Sequence, residues 1–193
     1  MLTQLSTLKI RLGIAEADTT QDPLLLNLTA ACTAYFDQEC RRRLARAVNV
    51  TEEFSANLQE ICPASYPIET VTKFELKISE TDGWMEQSDA SFVIRFGCII
   101  SLATPLGEAN QLARVTYTGG YVLPGTLPAT GQEGLPADLE QAVVEQVAAW
   151  FLNRDKTGLL RNWPTNGTFQ VLSQEPVLPW VRQVIRTHQR WSF

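Results

Sequence analysis

The chain is poor in the residues that usually carry chemistry. It has one histidine, His188, in 193 residues. A general acid–base site needs a poised titratable group with partners to orient it, and His188 stands near the end of the chain with no evident partner. Its expected role is packing or surface contact. No GxSxG, Walker A or GxGxxG stretch occurs, so the common nucleophile-elbow and phosphate-cradle signatures are missing. The four cysteines, Cys32, Cys40, Cys62 and Cys98, show neither CxxC nor metal-ligand spacing. Cys32 and Cys40 share a helix face about 12 Å apart along its axis, too far to bond to each other; reduced, mostly buried thiols of a cytosolic protein are expected. No run approaches the roughly 20 apolar residues of a membrane span, and no basic start followed by an apolar stretch marks a signal peptide. The three N-x-T triplets at Asn27, Asn49 and Asn166 carry little weight without such a signal.

A formal net charge of −5 argues against nucleic-acid binding by bulk electrostatics. The length suits one domain, and 45% hydrophobic content is enough for a real core. An enzyme is therefore not expected, and neither is a cofactor or a metal. Glu52, Glu53 and Asp82 are the nearest approach to a carboxylate pair, and a solvated strand edge and a turn explain them better.

What is present is scaffold. Residues 3–13 read as a short helix with Leu5, Leu8 and Leu12 as its stripe and Gly13 as its stop. Residues 22–45 read as a long helix: Asp22 suits the N-cap, Pro23 the first position, and Leu25, Leu28, Cys32, Tyr35, Phe36 and Cys40 recur at helical spacing. From Ala47 to Thr118 the period is closer to two, with strands predicted at 48–56, 70–78, 91–96 and 112–118 and turns at 79–84 and 104–110. Seven Gly and Pro residues between 119 and 135 predict a mobile loop. Residues 136–156 then read as a helix with the stripe Leu139, Ala142, Val143, Val147, Trp150 and Phe151, ended by Gly158. A short strand at 168–173 and a last helix at 178–191 complete the pattern. The expected fold class is α+β: a mainly α-helical bundle core interrupted by a small antiparallel β insertion at 47–118, all in a single domain.

Two basic features stand out. Arg41, Arg42, Arg43 and Arg46 cluster at the expected end of the second helix, where they complement its dipole or contact phosphate or an acidic partner. Arg182, Arg186 and Arg190 form a stripe along the last helix, beside an apolar one of Val177, Val181, Val184, His188 and Trp191. That helix docks either on its own domain or on a partner.

Taken in order, several segments resemble the head-to-tail connector (adaptor, or head-completion) proteins of tailed bacteriophages. They are LSTLKIRLGI, DPLLLNLTAACTAYFDQECRRRL, YPIETVTKFEL, ARVTYTGGY and LPADLEQAVVEQVAAWFLNRD. The matching positions are Val115, Thr116, Tyr117, Thr118, Gly120 and Tyr121, then Pro136, Asp138, Leu139, Trp150, Asn153 and Arg154. One departure is that Glu39-Cys40 precedes Arg41, where the family usually has a glycine. The resemblance implies a non-enzymatic virion protein assembled in the bacterial cytoplasm. It would form a roughly twelve-fold homo-oligomeric ring beneath the portal, extend the channel for packaged DNA, and offer a surface to the next neck or tail-completion protein. By the same analogy Trp180, Arg182, Arg186, Arg190, Trp191 and Phe193 would dock on the portal, and Arg41, Arg42, Arg43 and Arg46 would line the channel or meet a partner. The loop residues Gly120, Tyr121, Leu123 and Leu127 would meet a neighbouring copy or the tail side. The competing readings are a tail-completion or neck protein one layer down, and a small DNA-binding or packaging-regulatory protein using the Arg41–Arg46 cluster.

Overall fold

A computed structural model describes residues 1–156, 161–162, 170–171 and 177–190. The chain divides into two compact units: residues 1–40 with 136–189, and residues 41–135 with 190–193.

The first unit is helical. Helix α1 (Leu5–Leu12) ends at Gly13, whose φ of 68° lets its own N–H and the next one turn back to the carbonyls of Ile10 and Lys9. Helix α2 (Asp22–Cys40) buries Leu25, Thr29, Cys32, Phe36 and Cys40. Helix α3 (Ala137–Leu152) buries Leu139, Ala142, Val143, Val147 and Phe151, and touches all three other helices. A 3-10 turn, Arg154–Lys156, follows it. Helix α4 (Pro179–Thr187) closes the unit. Strands β8 (Arg161–Asn162) and β9 (Gln170–Val171) form a two-stranded antiparallel ladder; the rest of the strand expected at 168–173, and Gly158, lie outside the described residues.

One buried charge holds the turn between α1 and α2. Lys9, 4% exposed, donates to the carbonyls of Glu16 (3.0 Å) and Asp18 (2.8 Å) and pairs with Asp22 at 2.7 Å. A buried ammonium is tolerated only when its donors are filled, and here all three are. Asp22, expected as an N-cap, commits its carboxylate to Lys9 instead.

The second unit is a sandwich of two antiparallel sheets. One has strand order β1 (Ala47–Ser55), β7 (Leu112–Gly119), β3 (Ile68–Lys77), β4 (Met85–Glu86). The other has β2 (Glu60–Ile61), β6 (Ile99–Leu102), β5 (Phe92–Arg95). Their inner faces share one core, in which Phe74, Val115 and Tyr117 meet Ile61, Ile100 and Leu102, with Phe74 and Phe92 edge to face at 5.4 Å. The outer face of the larger sheet carries a cross-strand charge row. Glu53 faces Arg114, Arg114 faces Glu75, and Glu75 faces Glu86. Arg114 grips Glu75 with two hydrogen bonds of 2.7 and 2.9 Å and lies over the Trp84 ring at 4.3 Å.

The expected fold class needs correction. A mainly α-helical bundle core with a small β insertion is not what forms: among the described residues four α-helices accompany a sandwich of two antiparallel sheets and a further two-stranded ladder, and the β-rich unit has its own core and about half of the chain. The strands of this unit missing from the expectation, β2, β4 and β6, explain the error. β6 is the short apolar run IISL, buried almost throughout, so it shows no alternation, and the two-residue strands are below any periodic signal. Without β2 and β6 the second sheet is invisible. The second helix also stops at Cys40 rather than at 45, because Arg41 adopts a left-handed φ of 53°.

Candidate assembly surfaces

The arginine cluster does not act as one patch. Arg42 points inward, 5% exposed, with its guanidinium 3.2 Å from the centroid of the Tyr66 ring and 5.1 Å from that of Tyr121. It donates through Nη2 to the carbonyl oxygen of Tyr66. A guanidinium sandwiched between aromatic faces is a packing element. Arg46 forms a bidentate pair with Glu69 at 2.6 and 2.9 Å, and the carboxylate raises the guanidinium's pKa further. Arg41 and Arg43 face outward, and the backbone of Arg43 donates to Ala64 at 2.8 Å. The pull of Tyr66 on Arg42 outweighs the helix propensity of the Arg run.

The expected mobile loop is tied back on itself. Tyr121 N–H donates to Leu44, Val122 N–H to Glu133, and Leu135 N–H to Val122, at 2.8, 2.8 and 3.0 Å. Gly120 and Tyr121 are structural. Gly120 has a φ of 101°, and a Cβ there would stand 2.6 Å from the carbonyl oxygen of Ala45. At Gly119 it would stand 2.5 Å from that of Ser65. The Gly-Gly pair is thus required by two backbone segments that pass against the end of β7. Tyr121 is buried against Arg42. Leu123 is half-buried, while Leu127 is 92% exposed at the loop's outer turn.

Helix α4 docks on its own unit. Val177, Val181 and Ile185 are buried, and Ile185 takes the place that the periodic reading gave to Val184. Gln146, itself buried on α3, accepts the Leu178 N–H at 2.9 Å. His188 meets Asp138 at 2.8 Å, and Gln189 donates to the Glu39 carbonyl at 3.1 Å. Burial pushes the Asp138 carboxyl up, but the bond and charge of His188 and the Leu139 N–H outweigh it and hold it below the usual range. The opposite face of α4 shows Trp180 and the exposed Arg182 and Arg186. Arg190 is turned to the Cys62 carbonyl. Trp191 and Phe193 lie outside the described residues.

Two features escaped the sequence reading. Glu52 is not a solvated strand residue: its carboxylate accepts the Ala64 N–H at 3.0 Å and the Tyr117 hydroxyl. Phe96, 85% exposed, sits at the β5–β6 turn with a φ of 53°. Its only sequence sign is an aromatic placed before Gly97 in a two-residue turn. Among the described residues no group of three or more His, Cys, Asp or Glu is arranged to hold a metal ion, and no helix is long and apolar enough to cross a membrane.

No protein-family model matches the chain, and no curated protein does. Solved structures do match it. A chain from the neck of an empty gene transfer agent particle, computed with C6 symmetry, superposes with a TM-score of 0.62 at 15% identity, over 97% of this chain and 89% of that one. A chain from the virion of a native gene transfer agent particle gives 0.57 at 15% identity over the same shares. The chain shares its fold with these neck and virion chains over most of its length, and this likeness supports the resemblance to phage head-to-tail connectors that its motifs carry.

Proposed function

We infer that the chain is a structural protein of the neck of a tailed-phage-like particle. It acts as a ring-forming adaptor between the portal and the next neck or tail-completion protein. The observation that carries this reading is the match to a gene transfer agent neck chain over nearly the full length of both. The ring reading has support in the symmetry of that particle, since sixfold averaging accommodates a ring of twelve. Assembly takes place in the host cytoplasm, and packaged DNA passes through the ring without being gripped; a net charge of −5 suits a lumen that lets DNA slide. The outward face of α4, with Trp180, Arg182 and Arg186, is the portal-facing surface in this reading, and Leu127 the contact of the long loop. A DNA-binding regulator using Arg41–Arg46 is less well supported, because Arg42 and Arg46 are engaged within their own unit.

The test is electron microscopy of lysates from a phage carrying a nonsense allele of this gene. Free tails beside heads that have lost their DNA are expected. Normally joined virions would overturn the reading.

A further inference from the structure

Among the described residues the two sheets end in four edge strands, of which β2 and β4 are two residues long and β1 and β5 are the longer pair. β1 is bonded only to β7, and β5 only to β6. Neither strand contains proline or lysine, two of the devices that keep an edge from pairing with another chain, and the irregularity in β1 is confined to its start, between Ala47 and Val50. Nine residues of β1 end in a regular run from Val50 to Ser55. On its outer face Thr51 and Glu53 are exposed, two residues apart. On the outer face of β5, Val93 and Arg95 are exposed, also two apart, with Val93 64% exposed. The inner residues of both strands, Phe54 and Phe92 among them, face the shared core.

These edges are different from each other and complementary, which is what a closed ring of identical subunits needs. We propose that β1 of one copy pairs with β5 of the next, joining neighbouring subunits through a continuous sheet. With the two strands parallel, Thr51 stands beside Val93 and Glu53 beside Arg95, so that an opposite-charge pair and a β-branched pair meet across the junction. Within one subunit Arg95 pairs with Glu60 at 2.6 Å, an exposed contact that contributes little and is readily exchanged. Phe96 supports the same placement. A left-handed φ is unfavourable for an aromatic residue, and here it holds the ring outward at the end of β5, where it covers the end of the neighbour's β1.

This proposal rests on the ring reading above. The test uses particles made with the Thr51→Cys/Val93→Cys double variant, treated with a mild oxidant and run without reductant. A ladder of covalent multimers of this chain is expected, absent from either single variant. In parallel, Glu53→Arg or Arg95→Glu alone should lower incorporation of the chain into particles at least about tenfold, and the double reversal should restore it. Glu53 and Arg95 lie in different sheets, so folding of one subunit does not explain such rescue. Particles that contain the chain at the neck yet give no ladder and no rescue would overturn the strand pairing and leave the adaptor reading standing. Wild-type particles that lack the chain altogether would overturn both.

Discussion

Tyr117 is the residue on which the sandwich closes. Its ring is fully buried in the core, and its hydroxyl accepts the Ser65 N–H at 3.0 Å while donating to Glu52. The same carboxylate accepts the Ala64 N–H, so one side-chain pair fixes the segment before Pro67 against β1 and β7. Tyr117→Phe keeps the ring and removes the hydroxyl. It leaves a buried N–H without its acceptor, which costs about 1–3 kcal/mol. Urea unfolding at neutral pH should show that loss with an unchanged m-value. A loss below about 0.5 kcal/mol would mean that water satisfies both groups and that the network is incidental.

At the scale of elements, helix α4 separates two roles by face. Ile185→Ala removes buried carbon between α4 and its own unit, and should cost about 2–4 kcal/mol. Amide hydrogen exchange should report faster opening of α4 than in the wild type. Trp180→Ala and Arg186→Ala lie on the outward face, and should change stability by no more than about 0.5 kcal/mol while lowering attachment of the chain to portal-bearing heads. Equal losses of stability from both faces would contradict this division.

The long elements were the legible ones. Helices α1, α3 and α4 start and stop within a few residues of their predicted bounds, because Gly13, Pro136 and Pro179 mark them locally. Strands β1, β3 and β5 alternate enough to be read, and β7, buried over most of its length, is marked by its β-branched run ahead of Gly-Gly. What failed depended on distant partners. Arg42 leaves the helical pattern for the Tyr66 ring 24 positions later, and nothing in the Arg run announces it. Tyr121 looked like a loop contact because its partner, Leu44, precedes it by most of the β unit. The same holds for the surface. Gly-Gly could be read as a turn, but the two backbone segments that demand it lie 75 residues before Gly120 (Ala45) and 54 before Gly119 (Ser65). Of the surface residues, Leu127 is legible because it lies in a Gly/Pro loop, whereas the exposure of Phe96 is not: it stands just past the end of β5, where one glycine is the sole mark of the turn.

At the scale of the whole molecule, pH is the variable that tests the charge arrangement. Four carboxylates, on Asp18, Glu75, Asp138 and Glu145, are held below their ordinary values. Glu75 is the most enclosed of these pairs, its side chain 8% exposed, and the Arg114 hydrogen bonds lower it against the cost of burial, with Lys73 adding to the effect. A carboxylate whose folded pKa lies below its unfolded value contributes stability that is complete above the unfolded value and disappears as pH falls through the folded one. Opposite signs apply on the alkaline side. Burial pushes the Cys32 thiol up to about 12 and raises the Tyr117 hydroxyl, with Glu52 adding to the latter. Those contributions are complete below the unfolded values and disappear as pH rises. Thermal melts should therefore show a broad plateau around neutrality, with Tm falling below the ordinary carboxylate range and again in strong base. Glu75→Gln removes one of the acid-limb groups, so it should lower Tm at pH 7 and make the fall between pH 5 and pH 2 shallower. A variant with the wild-type acid limb would show that the Arg114–Glu75 pair forms without differential protonation.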